Sequence, residues 1–394
     1  MIDRDLAPRV TAAAQAFPAV TVTGPRQSGK STLCRALFPE HAYANLEAPD
    51  VREFATADPR GFLAQFSGGA VIDEVQRAPD LVSYLQPLID EEPEPGRWIL
   101  TGSQNLALLE SVSQSLAGRT ALLNLLPLSH PEVMRFPDAP ASLDENMFAG
   151  GFPRIYDQSI IPSDWLAAYV GTYIERDVRT VANVGDLVTF QRFVELCAGR
   201  TGQLINYSNL ASDCGISQPT ARSWLSILET SFIVFRLPAW SGNVRKRLVK
   251  MPKLHFYDTG FVCWLLGLRA AEQLHRHPLR GAIFETWVAS EVLKHRANAG
   301  ERGGMYFYRD QNAVEADLLI EYADQIALVE AKAGRTVTQD MLSPALRIGK
   351  TLSHVAATRS YVIYGGDAAQ KRHDVTVLPW SGLHTESWVA APGG

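Results

Sequence analysis

Short apolar runs alternate with helical spacings over the first third of the chain. Ala19-Val20-Thr21-Val22-Thr23 is β-branched and reads as a buried strand, and Leu33 to Phe38 is apolar at helical spacing. Further strand-like runs fall at Ala42 to Leu46, Ala70 to Ile72, Trp98 to Leu100 and Leu122 to Leu126, so residues 19 to about 135 predict an α/β sheet of parallel strands behind a short N-terminal helix. Pro127, Pro131, Pro137 and Pro140 punctuate the exit from that sheet. Helical patterns follow from Trp165 to about Arg179 and over residues 187–200. Tyr207 to Cys214, a turn at Gly215 and a second helix opened by a Ser cap describe a helix-turn-helix, and Phe232 to Leu237 after it reads as the strand of a winged version. Farther on, Gly281 to Leu293 is a long helix, and Met305 to Tyr308, Ala313 to Ile320 and Ala327 to Lys332 are strands. The expected division is 1–160, 161–250 and 251–394.

The turn after the first strand carries the clearest chemistry. Gly24-Pro25-Arg26-Gln27-Ser28-Gly29-Lys30-Ser31-Thr32 fits Gly-x-x-x-x-Gly-Lys-Ser between a strand and a helix, the context of a Walker A loop. Glycine at 24 and 29 lets backbone N–H groups turn inward toward phosphates, assisted by the positive end of the helix. Lys30 is expected on the β and γ phosphates of ATP, and the Ser31 hydroxyl on Mg²⁺. Ala70-Val71-Ile72-Asp73-Glu74 is the matching Walker B strand: Asp73 holds Mg²⁺ through water and Glu74 polarises the attacking water. The strand at Trp98 ends in Thr101, Ser103 and Asn105, and is expected between the two Walker strands. Ser103 is the first choice for the γ phosphate or the water, with Thr101 and Asn105 as rivals. Arg119, ending a helical stretch just before a strand, is either an arginine finger for a neighbouring subunit or a surface arginine.

Charge changes the picture locally. The chain has 394 residues, 46% hydrophobic and 20% charged, with 42 acids against 37 bases and a net charge of −5, so a nucleic-acid partner must be met by a local cluster. From Thr230 to Tyr257 there is no acid, while Arg236, Arg245, Lys246, Arg247, Lys250 and Lys253 accumulate. That suits a phosphate backbone, or else is a solvated hairpin. Gln218, Thr220, Arg222 and Ser223 are expected on the exposed side of the second helix, within reach of a DNA groove. Cys34, Cys197, Cys214 and Cys263 have no zinc or disulfide spacing and read as buried thiols. No apolar stretch approaches the roughly 18 residues of a membrane span, and no signal core opens the chain, so a cytoplasmic protein is expected.

The C-terminal third raises a second chemistry. Asp317, a hairpin, then Glu330-x-Lys332 is the spacing of the PD-(D/E)XK nuclease core, with Glu285 approaching from the long helix. Carboxylates converging in an apolar sheet would hold Mg²⁺ or Mn²⁺ for phosphodiester hydrolysis. The plain alternative is a Glu330–Lys332 ion pair with Asp317 in solvent.

The chain as a whole resembles the bacterial and archaeal AAA ATPases that join an AAA core to a C-terminal conserved domain of unknown function. The marks are Gly-Pro-Arg-Gln-Ser-Gly-Lys at 24–30, Ile-Asp-Glu-Val-Gln at 72–76, Thr-Gly-Ser at 101–103, Leu-Ala-Gly-Arg at 116–119, Gly-Gly-Phe-Pro at 150–153, Tyr-Ile-Glu-Arg-Asp-Val at 173–178 and Lys-Leu-His-Phe-Tyr-Asp-Thr-Gly at 253–260. The resemblance implies a RecA-like AAA P-loop module, a winged helix and a restriction-endonuclease-like domain. It departs from the usual pattern at Ala333, where a small polar residue is more common. The expectation is an ATPase that couples nucleotide state to DNA binding as a homo-oligomer, with metal-dependent cleavage as an added capacity. The rival is a signalling or regulatory NTPase that binds DNA or protein without cutting.

Overall fold

The structure is a computed structural model that describes residues 2–103, 115–173, 186–242, 251–322 and 325–390. It divides into two compact units, one of Met1–Leu128 with Thr230–Phe232 and Ala297–Gly300, the other of Ser129–Glu229, Ile233–Arg296 and Glu301–Gly394.

The first unit is built on five strands, β1 (Ala19–Gly24), β2 (Ala42–Asn45), β3 (Ala70–Asp73), β4 (Trp98–Ser103) and β5 (Thr120–Asn124). They pair in parallel in the order β2-β3-β4-β1-β5. The expected strand at Leu122 starts two residues earlier, because Thr120 and Ala121 pair with Ala19 and Val20. All six residues of β1 are buried, as befits a parallel strand covered on both faces. Successive side chains go to opposite layers. Val20, Val22 and Ile99 pack with Leu6, Val10, Leu33 and Cys34, while Ala19, Ile72, Trp98 and Leu100 pack with Leu46, Phe62, Leu81 and Leu85. All four cysteines are free and buried.

The second unit holds the helix Tyr207–Cys214 and all but the last residue of the helix Gln218–Thr230. Asn206 caps the first through Ser208 N and Asn209 N, both at 3.1 Å, and Gly215 ends it with φ 75°. The Ser217 hydroxyl accepts from Thr220 N at 3.2 Å, the expected cap of the second. Strand β6 (Val234–Leu237) then pairs antiparallel with β7 (Lys253–Phe256). Arg245, Lys246, Arg247 and Lys250 lie outside the described residues, as do Asn105 and Ile174 to Val178.

Six further strands, β8 (Met305–Arg309), β9 (Glu315–Glu321), β10 (Gln325–Lys332), β11 (Ala357–Tyr364), β12 (Gln370–Arg372) and β13 (Val375–Pro379), form a sheet in the order β12-β13-β11-β10-β9-β8. The strand expected from Ala313 begins at Glu315, because Asp310 Oδ1 accepts from Asn312 N and Val314 N and holds a turn there. The helix after β10, Gln339–Leu352, buries Ile348 and Leu352 against Leu319 and Leu328 of this sheet.

Two of the sequence marks meet in this unit. The buried Asp258 carboxylate accepts from Gly151 N at 2.6 Å and from Phe261 N at 2.9 Å, capping the helix Thr259–Leu265. Gly150 has φ 71°, and a Cβ there would lie 2.3 Å from Asp258 Oδ1, so the glycine is needed for the approach. Among the described residues, no helix is long and apolar enough to cross a membrane.

Candidate nucleotide site and C-terminal carboxylate cluster

The loop from Gly24 to Gly29 joins β1 to the helix Lys30–Leu37. Gly24 has φ 153°, and a Cβ on it would meet the Leu125 carbonyl at 2.1 Å. Gln27 and Gly29 are left-handed, with φ 64° and 94°. Lys30 is buried, and its Nζ donates to the carbonyls of Gly24 at 3.1 Å and Pro25 at 2.8 Å. With burial dominant, its pKa is pushed down. The Ser28 hydroxyl is buried with no hydrogen-bond partner, a polar group facing the loop that an oxyanion would satisfy. Ser31 and Thr32 stand in the first turn of the helix, and Arg26 lies 3.9 Å from Glu47. Arg4, which sequence reasoning missed, reaches in before the first helix: its guanidinium donates to Ser28 O at 2.6 Å and Leu126 O at 2.8 Å.

Strand β4 lies between β1 and β3, as expected from sequence. Asp73, at the end of β3, is buried and accepts from the Tyr43 hydroxyl at 2.7 Å through one oxygen and from the Thr101 hydroxyl through the other. Burial first, then this hydrogen bond, push the Tyr43 phenol up. Glu74 leaves the strand with φ 56°. Its carboxylate accepts from the Gln76 amide, which also donates to the Ser103 hydroxyl at 2.8 Å. Ser103 is therefore joined to Glu74 through Gln76, while Thr101 belongs to Asp73.

Arg119 makes a bidentate pair with Asp90, Nε to Oδ1 at 2.6 Å and Nη2 to Oδ2 at 2.8 Å. Its carbonyl accepts from Ala19 N, which places it beside the first residue of β1. Gly24 is five residues along that strand, roughly 16 Å away at the usual strand rise. Arg119 does not reach the P-loop of its own chain.

In the helix pair, Gln218, Arg222 and Ser223 are exposed; Thr220 is half-buried, its hydroxyl 2.7 Å from that of Ser217. The Arg222 guanidinium lies over the Tyr207 ring at 4.3 Å from its centroid. The basic run is weaker than its residue count implied. Arg236 pairs with Glu229, and Lys253 is buried.

The four residues expected to form a nuclease site are brought close, and the alternative of Asp317 in solvent does not hold, since its side chain is 13% exposed. Glu285 comes from the helix Arg280–Asn298, Asp317 from β9, and Glu330 and Lys332 from β10. Asp317 Oδ2 accepts from Ala331 N at 2.8 Å, and Lys332 pairs with Glu330 Oε1 at 2.6 Å. Sequence reasoning missed the centre of the cluster. Lys253 Nζ lies 2.7 Å from Glu285 Oε1, touches the Glu315 carboxylate, and lies 3.8 Å from Asp317 Oδ1. Burial first, with Asp317 next, pushes the Glu285 and Glu330 carboxyls up. His255, fully buried, bonds Thr286 through Nδ1 and points Nε2 at Glu285 Oε1 from 4.0 Å; burial drops its pKa to about 3. Among the described residues, no group of three or more His, Cys, Asp or Glu side chains is arranged to hold a metal ion. With an ammonium among the carboxylates, the donor set does not fit Mg²⁺ or Mn²⁺.

A P-loop at one strand end, acids at the end of a second and a polar strand between them define a P-loop ATPase of the AAA class. Residues 16–134 match the family described as an AAA domain, residues 140–272 a domain of unknown function (DUF8612) and residues 280–383 a domain of unknown function (DUF4143). An uncharacterized protein of Mycobacterium tuberculosis is 31% identical over 367 residues, 92% of this chain and 80% of that protein, and one of Mycobacterium bovis matches to the same extent. The chain belongs to their family, the AAA ATPases that carry the DUF4143 domain toward the C-terminus. Among solved structures, the Walker-type ATPase PABY2304 of Pyrococcus abyssi is 15% identical, with a TM-score of 0.44 over 67% of this chain and 96% of that one.

Because Gln76 holds both Glu74 and Ser103, replacing it should loosen both side chains without touching the loop. Gln76→Ala is expected to lower kcat by about tenfold or more while nucleotide affinity stays within about threefold. Steady-state ATPase kinetics beside a nucleotide-binding isotherm check this, and an equal loss in both would assign Gln76 to the fold of the loop instead.

Proposed function

We propose that the protein hydrolyses ATP with Mg²⁺ and couples its nucleotide state to DNA binding, working as a homo-oligomer. The observation that carries the hydrolytic part is the Gln76 bridge between Glu74 and Ser103 at the same strand edge as Asp73 and the P-loop. In this reading the backbone amides of Gly24 to Thr32 wrap the phosphates, and Lys30 leaves the carbonyls of Gly24 and Pro25 for the β and γ phosphate oxygens. Ser31 and Asp73 would hold Mg²⁺, which would supply charge neutralisation at the phosphates. Tyr43 and Thr101 keep the Asp73 carboxylate in place, and Glu74 orients water while Ser103 faces the γ phosphate. Lys30→Ala should lose nucleotide binding, whereas Glu74→Gln should bind and stall, because the base matters chiefly when water attacks. Full turnover by Glu74→Gln, with affinity measured alongside, would remove Glu74 from the role.

Arg119 serves a second copy in this reading, its pairing to Asp90 exchanged for phosphate charge across the subunit boundary. An arginine finger contributes on the order of a thousandfold. Inactive Arg119→Ala and inactive Glu74→Gln subunits that co-assemble should regain activity when mixed; co-assembly without recovery counts against the role.

DNA binding rests on the helix-turn-helix with Gln218, Arg222 and Ser223 exposed, read with β6 and β7 as a winged helix, and on Arg245, Lys246, Arg247 and Lys250 as phosphate contacts. Affinity should then fall steeply with salt, with a slope that shrinks by roughly one unit per contact removed. Unchanged binding after replacing all four would move the site. A regulatory NTPase whose helix pair grips a protein is the second reading, favoured by Arg236 and Lys253 being neutralised within the chain. Metal-dependent cleavage by Glu285, Asp317, Glu330 and Lys332 is no part of either, since Lys253 engages Glu285 and Asp317, two of the three carboxylates that would hold the ion.

A further inference from the structure

We propose that Lys253 is the permanent cation of the C-terminal carboxylate cluster, standing where a divalent metal would stand, and that the cluster fastens the strand after the helix pair to the DUF4143 sheet without metal chemistry. Several independent features converge on this. The Lys253 side chain is 4% exposed and its ammonium meets carboxylates from two elements, Glu285 of the long helix and Glu315 and Asp317 of β9. The Phe307 ring of β8 forms a further wall, its centroid 5.6 Å from Nζ. A lone buried ammonium is costly, and nearby carboxylates supply what water gave it in solution.

The backbone that carries this lysine is held on both sides. Lys253 pairs with Leu237 of β6 on one side and bridges to Leu204 on the other. On that second side Leu254 N donates to Gln203 O at 2.9 Å, Gly202 N donates to Leu254 O at 2.7 Å, and Ile205 N donates to Pro252 O at 2.9 Å. Displacing the ammonium by a metal would take it from the Glu285, Glu315 and Asp317 carboxylates that surround it. Lys332 differs, being 38% exposed on its side chain and paired with Glu330. Of the positions that spell the nuclease pattern, Glu285 and Asp317 have the Lys253 amine as a shared neighbour, while Glu330 pairs with Lys332.

The experiment is Mn²⁺ binding to the nucleotide-free full-length protein, followed by electron paramagnetic resonance, for the wild type, Asp317→Asn, Lys253→Met, Lys253→Arg and the double variant Lys253→Met with Asp317→Asn. The wild type and Asp317→Asn should give the same isotherm. Lys253→Met, if its melting curve shows it folded, should gain a site at least about tenfold tighter than any in the wild type. The double variant should lose that site, and Lys253→Arg, which keeps a cation, should not gain it. Wild-type Mn²⁺ binding that Asp317→Asn abolishes would overturn the proposal, and this pair decides the matter even if Lys253→Met does not fold. A folded Lys253→Met that gains no site would overturn it too.

Discussion

The nucleotide site depends on one backbone constraint, the register of β4 between β1 and β3. In a parallel sheet the period along a strand is two, so Thr101 and Ser103 project on the same side. With Gly24 opposite Ser103 and Ile72 opposite Leu100, that side is the one on which Asp73 and Gln76 stand. Thr101 reaches Asp73, and Ser103, one pleat farther out, reaches Gln76. A slip of one residue would send both hydroxyls to the opposite layer and leave Asp73 with Tyr43 alone. The buried Trp98, Ile99 and Leu100 fix the register, since each layer has room for its own side chains and not for those of the other.

The Walker pieces are legible in the sequence because each is local: a strand, a glycine-bearing turn and a helix in succession, or an apolar run ending in acids. The strands and the helix pair are legible for the same reason. What joins the pieces is not local. Tyr43 contacts Asp73 only because the edge strand β2 pairs with β3, and a short run at Ala42 does not announce its neighbour. Arg4 is one arginine near the start of the chain until the helix after it packs beside the loop. Gln76 stands inside a recognised motif, yet its role appears only when the left-handed turn at Glu74 folds the chain back over β4.

Counting charge along the chain misleads for a related reason. The stretch from Thr230 to Tyr257 holds no acid, but the fold imports four: Glu229 to Arg236, and Glu285, Glu315 and Asp317 to Lys253. A net local charge in sequence is a lower limit on the partners a side chain can find in space. The same applies to Glu330-x-Lys332, whose ion pair is local and whose wider setting is not.

Lys30 and Lys253 are both buried lysines, and their surroundings give them opposite properties. Lys30 is held by two backbone carbonyls, and the pull of Glu74 and Asp73 offsets its desolvation only in part, so its pKa falls. It is a cation short of negative charge. Lys253 meets three carboxylates, whose pull outweighs burial and raises its pKa. Nothing in that setting rewards an added anion, and an added cation would have to repel the ammonium. The chain thus places an under-compensated lysine at the glycine-bearing loop after β1 and a compensated one where two parts of the fold join, and the count of carboxylates around each separates the two.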